Sequence, residues 1–372
     1  SQDGVTGSDT VEIRVFAIEM VYIPQGGFFA GDNGTSTASF KQGSSDDDPW
    51  WIGSEDAISV TDTAGNGTGS GETVAEYYYV SDVQALDDAT GAAFTIPADF
   101  PKGYKASYMM KGEISQGQWV AFFNTLTATQ KSARDITSSA NGGKNADSLT
   151  YRNNVSWTSG DATLPDQGGG ATYEYVAMNY LSWADLASYL DWAGLRPMSE
   201  LEFEKAGRGP YRAVSGEYAW GTTSITPATS ISNSGLPNEA PGAAANCVHG
   251  SGVSGPMRVG AMAYGDATRA EAGAGYYGIM DLSGNVWERP VTVGDSTGRS
   301  FNGSKHGNGV VASDGNGDVT TWPGTNAIGS SLRGGTYNFG SSLARLSDRN
   351  WGGYYWASRH QRYGGRGVRT AP

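Results

Sequence analysis

Cysteine is almost missing from this chain: Cys247 stands alone, so no intrachain disulfide can form, and packing or a metal must hold the framework. The redox compartment stays open for the same reason. Charge is scarce too. Only 17% of residues are charged, too few to coat many exposed helical faces, which predicts a loop-rich fold with few helices. No run of about 18 or more apolar residues occurs, so no membrane-spanning segment is expected. Bases fall far enough short of acids to leave a net charge of -13. That balance argues against nucleic acid as a partner, because a phosphate backbone needs a cationic surface. No basic stretch followed by an apolar core opens the sequence at Ser1, and a signal or anchor outside it is left open.

One further absence is local. From Arg333 onward there is neither Lys nor Glu, although an ordinary solvated tail is rich in both. Ordinary disorder is poor in aromatics, yet this tract carries Tyr337, Phe339, Trp351, Tyr354, Tyr355, Trp356 and Tyr363 among Asn338, Ser341, Ser342, Asn350 and Ser358. Flat rings with few rotors beside small, adaptable polar groups make the composition of an antibody binding surface. Arg345, Arg349, Arg359, Arg362, Arg366 and Arg369 face one formal acid, Asp348, so some of them are expected to pair with acids elsewhere in the fold. Residues 333–369 are therefore predicted to form a ligand-facing loop system.

Glycine is plentiful, at 55 of 372 residues, and marks turns and irregular connections because it reaches positive φ without penalty. One elaborate domain over residues 1–372 is predicted. Strand patterns run from Val11, Ile13 and Val15 through Met20–Pro24, then recur at Tyr77–Val80 and Lys105–Met110. Ser115 with Gln118, Ser182 with Asp185, and Ser199 with Glu202 match or approach the reciprocal hydroxyl and acid or amide arrangement that opens helices. The stripes that follow, Trp119, Phe122, Phe123 and Leu126, then Leu186, Tyr189 and Leu190, then Leu201, Phe203 and Lys205, are assigned to the core. Residues 138–170, rich in Gly, Asn and Ser, are predicted to be a long surface insertion, and Thr63–Thr73 is the nearest approach to low complexity. Asp46, Asp47 and Asp48 before Trp50 and Trp51 read as a solvated loop with two anchoring tryptophans, with a cation site as the alternative. Asp314, Asn316 and Asp318 open like an EF-hand loop, but Thr325 stands at the twelfth position, which leaves a plain turn. His249, His306 and His360 lack zinc spacing, and no nucleophile elbow, P-loop or dinucleotide fingerprint occurs.

Met20–Phe28 (MVYIPQGGF), Glu113–Phe123 (EISQGQWVAFF), Ser182–Trp192, Arg196–Arg208 (RPMSELEFEKAGR), Tyr218–Gly221 (YAWG), Tyr277–Glu288 (YGIMDLSGNVWE) and Arg333–Tyr337 (RGGTY) form an ordered set over most of the chain. That set resembles the formylglycine-generating enzyme, or sulfatase-modifying factor, family. The resemblance implies an α+β fold, that family's variant of the C-type lectin fold, with short twisted sheets, a couple of helices and long irregular loops. The family's oxidase uses two cysteines in the tract corresponding to Tyr337–Arg345. Their positions here carry Phe339 and Ala344, which neither bind copper nor exchange with a thiol. Cys247 lies outside the motif and reads as a small buried hydrophobe.

The tract is more similar to the variable proteins of diversity-generating retroelements, whose C-terminal region runs from an Arg-Gly-Gly-Ser-Trp-like start to a Gly-Phe-Arg-like end. Arg333–Tyr337 resembles that start and Gly367–Arg369 that end, with Ala344, Arg345, Ser347 and Arg349 resembling fixed framework between them. Adenine-directed mutagenesis of AAC or AAT codons yields neither Lys nor Glu, as here. It also yields neither Trp nor Gln, so Trp351, Trp356 and Gln361 belong to the scaffold or to other template codons. The resemblance implies a non-enzymatic receptor-binding or adhesion protein, with a protein or cell-surface ligand and a cell or virion surface as the location considered. The ligand-facing set is Asn338, Phe339, Ser342, Leu346, Asp348, Asn350, Trp351, Tyr354, Tyr355, Trp356, His360 and Tyr363. An enzyme of the sulfatase-modifying type with altered chemistry is the alternative. The resemblance also implies a structural calcium on Asp281, Glu288 and the carbonyls of Gly284 and Val286, and a second near Asn246 and the Cys247 carbonyl.

Overall fold

The computed structural model describes residues 15–42, 48–62, 77–84, 86–90 and 92–372. Val11, Ile13, Asp46, Asp47 and residues 63–73 lie outside them. Strands are short: β1 (Met20–Ile23), β2 (Phe28–Ala30), β3 (Lys41–Gln42), β4 (Trp50–Ile52), β5 (Ile58–Asp62), β6 (Tyr77–Tyr78), β7 (Phe94–Ile96), β8 (Ser107–Met110), β9 (Ile231–Ser232), β10 (Ala240–Pro241) and β11 (Val368–Thr370). The sheet that places the tail is antiparallel in the order β1-β8-β11, with Met109 of β8 opposite Val21 on one side and Val368 on the other. Residues at the far end of the chain are thus clamped to β8, which holds the first described strand on its other edge. A four-stranded sheet, β3-β6-β5-β7, and the pairs β2-β4 and β9-β10 complete the strand inventory among the described residues. Trp50 anchors this region, fully buried with its indole N–H 2.6 Å from the Lys41 carbonyl, while Trp51 is 44% exposed.

All three anticipated helix entrances form reciprocal capping boxes: Ser115 at α1 (Gln116–Thr125), Ser182 at α3 (Trp183–Trp192) and Ser199 at α4 (Glu200–Arg208). A fourth, Thr127 with Gln130, opens α2 (Ala128–Arg134). Its T-x-x-Q spacing is the same signal. It passes unnoticed because ATQKSAR has no apolar stripe behind it. A one-turn helix, α5, covers Ser296–Arg299. The aromatic stripes of α1 and α3 meet in the main core, with the Phe122 and Tyr189 rings 5.7 Å apart. Burying each such side chain contributes about 1.5–3 kcal/mol.

Residues 138–170 depart from the expected surface insertion. Their flanks are exposed, but Arg152, Asn153, Asn154 and Val155 are buried and Val155 joins the main core. Gln116 of α1 makes this possible by bonding both ways: its amide donates to the Arg152 carbonyl at 2.8 Å and accepts from the Asn154 amide at 2.7 Å. Asn153 reaches Asn179 at 2.9 Å. A polar segment enters a core when every polar group has a partner, so composition alone does not reveal it.

Helix α4 is buried along its whole length despite four charged side chains in its first two turns. Glu200 accepts from Arg333 Nη1 at 3.0 Å and Arg349 Nε at 2.7 Å on one oxygen, and from Thr292 Oγ1 and the Val293 amide on the other. Glu204 accepts from Arg333 Nη2 at 2.6 Å, Ser347 Oγ at 2.9 Å, Arg208 Nη1 at 3.1 Å and the Gly31 amide at 2.6 Å. Burial alone would raise the Glu204 carboxyl, but Arg333 and Arg208 more than reverse it and hold it below the usual range. Leu346 packs over Gly207 so closely that a Cβ there would lie 2.4 Å from its Cδ1. Replacing Glu200 by Gln leaves the unexposed Arg349 guanidinium without a carboxylate and takes from Arg333 one of its two acids, and is expected to cost about 3–5 kcal/mol or prevent folding, as read by urea denaturation.

Candidate functional site

The tail leaves the scaffold through Gly334 and Gly335, both at left-handed φ (+87° and +75°). A Cβ on Gly334 would stand 2.8 Å from the Leu282 carbonyl oxygen, so the Arg-Gly-Gly motif meets a steric demand as well as a conformational one. From there the backbone is pinned at short intervals. Gly250 N donates to Phe339 O, Val83 N to Asn350 O, Leu332 N to Trp351 O, Tyr180 N to His360 O and Leu181 N to Tyr363 O, all at 2.8–3.2 Å. Farther on, Arg359 holds Asp185 of α3 through two nitrogens at 2.7 and 2.8 Å, and Arg366 holds Glu288. Between these ties the side chains project.

Trp287, 2% exposed, is the floor. Phe339 and Trp351 lie 6.1 and 6.0 Å from it, Tyr354 lies 4.5 Å from Trp351, and Trp356 stacks 6.2 Å beyond Tyr354 at an interplanar angle of 15°. These rings make a continuous platform that rises from a buried base to Trp356, which is 53% exposed. Ser342 is exposed at the rim, and Asn338, Asn350 and His360 are half-buried. Tyr355 is half-buried against the main core. Nine of the twelve sequence-assigned positions thus reach solvent wholly or in part.

Three do not. Leu346 is fully buried beside α4, Asp348 is 3% exposed with Oδ1 on the Asn350 amide, and Tyr363 is 6% exposed in the cluster beneath the platform. Tyr337 is buried as well. Alternation of scaffold and display residues in an irregular loop has no fixed period, so spacing does not separate the two sets. Sequence patterning also passes over Arg362, whose guanidinium carbon lies 4.6 Å over the Phe339 ring, and Arg289, 5.1 Å over Tyr363. Arg289 directly follows Glu288 in the sequence, but Glu288 pairs with Arg366. Burial lowers the Arg289 guanidinium to about 10, with Tyr363 and Asp185 opposing the shift.

The residues assigned to calcium do not fit it. Both Glu288 oxygens accept from Arg366, at 2.6–2.9 Å, so a guanidinium already supplies the positive charge there. Asp281 Oδ2 accepts from the Gly260 amide at 2.6 Å, and no group of three or more acids, histidines or cysteines able to hold a metal occurs among the described residues. Calcium needs six to eight oxygens. In the second set the Cys247 carbonyl accepts from the Ala228 amide and Asn246 Oδ1 from the Thr226 amide. Cys247 is buried, its thiol donating to the Ser283 carbonyl and raised by burial, as expected of a packed hydrophobe. Asp314 closes a plain turn onto Asn316. No described helix is long and apolar enough to cross a membrane.

A family model described as sulfatase-modifying factor enzyme 1-like domain matches residues 95–371. Among solved structures, Treponema denticola variable protein 1 is similar at 13% identity and a TM-score of 0.42, over 99% of this chain and 100% of that one. No curated protein matches the chain.

Burial raises the Asp348 carboxyl from 3.8 to about 6, against the opposing pull of the Asn350 amide and Arg333. A carboxyl that binds its proton more tightly when folded adds stability that is fully present below its unfolded value and lost as pH rises through about 6. Asp348→Asn keeps the acceptor without the charge. It is expected to stabilise the protein by about 2–3 kcal/mol at alkaline pH and by nothing near pH ~4, measured by urea denaturation at both.

Proposed function

We propose, for a chain that belongs to the sulfatase-modifying factor enzyme 1-like domain family and has its α+β architecture of the C-type lectin type, that it is a non-enzymatic binding protein presenting a variable surface. One observation carries this reading: the backbone of the C-terminal tract is tied to buried scaffold groups at short intervals, while Phe339, Trp351, Tyr354 and Trp356 stack outward from Trp287. Such an arrangement is preorganised. It spares about 0.5–1.5 kcal/mol of ordering cost for each side chain already fixed, and it lets a few central aromatics dominate affinity, each worth about 2 kcal/mol or more on truncation.

The chemistry of the tract supports binding over catalysis. Phe339 and Ala344 stand where the resemblance places the oxidase cysteines, and Ala344 is 1% exposed. The remaining cysteine is sealed in the core. Diversification by a retroelement accounts for a tract in which the framework residues Ala344, Ser347 and Arg349 are buried and Arg345 is half-buried, while Asn338, Ser342, Asn350 and Trp356 reach solvent. The partner on this reading is a protein or a cell-surface ligand, met at a cell or virion surface.

Randomising Asn338, Ser342, Asn350, Trp356 and His360 together is expected to leave most variants with the parental urea midpoint, whereas randomising Leu346, Asp348 and Tyr363 unfolds most of them. Equal loss in both libraries removes the distinction between display and scaffold on which the reading rests. Incubation with copper and a cysteine-containing sulfatase peptide is expected to yield no formylglycine, and its formation would establish the enzymatic alternative.

A further inference from the structure

The tail arginines fall into two sets. Arg333, Arg349, Arg359 and Arg366 are buried and each is bonded to a carboxylate of the scaffold. Arg345 and Arg369 bond backbone carbonyls, of Thr35 and Gly194. The two guanidinium groups at the platform are different. Arg362 makes no side-chain hydrogen bond or ion pair among the described residues, and its Nε is buried without a partner. Phe339 holds it in place from below at 4.6 Å, a contact that orients a cation without neutralising it. Arg289 is 1% exposed and donates only through Nη2, to the Trp356 carbonyl at 2.5 Å, while Nε and Nη1 have no partner. The acid that influences it, Asp185, is already bonded to Arg359 and Arg134.

A buried cation without a counter-charge is costly, and natural structures rarely leave one so. Here the cost falls beside the platform, where Arg289 lies over Tyr363 and bonds the Trp356 carbonyl and Arg362 lies over Phe339. The tract offers no acid of its own to fill the gap, because Asp348 is buried on the Asn350 amide. We propose that the partner of this platform presents an acidic peptide segment, whose carboxylates are received by Arg362 at the surface and Arg289 beneath it while its apolar groups lie on Phe339, Trp351, Tyr354 and Trp356. This inference rests on the display reading and specifies the partner's chemistry.

A peptide fits better than an acidic glycan for a geometric reason. Arg289 is 1% exposed, with its guanidinium over the Tyr363 ring and Nη2 on the Trp356 carbonyl, so a carboxylate must arrive on a slim, rotatable stem, as Glu and Asp provide. The carboxylate of a sugar acid is attached directly to a bulky ring. Arg289 stays protonated at neutral pH, since burial lowers it only to about 10.

The test uses a random peptide library displayed on phage, panned on the full chain, with enriched peptides resynthesised. The expected result is enrichment of Asp and Glu, with binding weakened about tenfold or more by Arg362→Gln, by Glu→Gln in the peptide and by raised salt, and lost in Trp356→Ala. Arg362 is half-buried and unpaired, so its replacement leaves the fold intact, which unchanged urea midpoints verify. Trp356-dependent peptides without acids, or with unaltered affinity for Arg362→Gln, overturn the acidic partner and leave the display reading standing. Retention on hyaluronate, with no peptide bound at the platform, overturns the peptide in favour of a glycan. The absence of any Trp356-dependent binder to peptide or hyaluronate removes the display reading itself.

Discussion

Two carboxylates on one buried helix fix where the tail begins and how its first half runs. Glu200 and Glu204 lie one turn apart on α4, and the arginines that reach them, Arg333 and Arg349, bracket the first half of the ligand-facing tract. Arg333 spans both acids, so the tract's starting point cannot shift by a residue without losing two charge-assisted bonds. Arg349 adds a second fixed point: it is sandwiched between the Phe40 and Tyr79 rings at 4.4 and 4.8 Å and bonds the Ala38 and Val80 carbonyls. Burial tends to deprotonate that guanidinium, but Glu200 outweighs the tendency and keeps it firmly charged. A loop with little regular structure acquires in this way the definition of a strand.

The remaining ties follow the same design at different depths. Arg359 fastens the tract to α3 through Asp185, and Arg366 fastens it to the Tyr277–Glu288 turn through Glu288. β11 then closes it against β8. Each tie takes one arginine from the tail and one acid from an element that is settled independently, so the tail's path is set by the body of the protein. The rings between the ties need contribute nothing to that path. They are free to differ in identity, and the platform from Trp287 to Trp356 is one filling of a fixed frame.

Much of this was legible in the residues, and the rest was hidden for identifiable reasons. Capping boxes announce three of the helices because the signal is local and chemical, and the missing Lys and Glu after Arg333 mark the tract because composition survives without knowledge of the fold. Tail arginines in excess of tail acids imply partners elsewhere, and three of the six so read, Arg349, Arg359 and Arg366, have such partners. Which tail residues face outward is another matter. Leu346 sinks because Gly207 of α4, far away in sequence, leaves room for it, and Tyr363 sinks because Arg289 lies against its face. Neither cause is visible within the tract. The pairing of Glu288 was hidden for a similar reason: the turn carries the acids the resemblance asks for, but a distant arginine occupies one of them.

Buried ion pairs are a poor way to gain stability, since apolar replacements of similar volume often do as well or better. Their use here makes sense for a frame that must tolerate change. Apolar packing is non-directional, and a tract held by it alone would slide or repack whenever a neighbouring ring changed size. A guanidinium bound through two or three nitrogens has one orientation and no alternative partner in the core. Arg333, Arg349, Arg359 and Arg366 therefore specify position independently of what stands between them. The same logic sets apart Arg289 and Arg362, which are bonded to no carboxylate and have donors left without a partner.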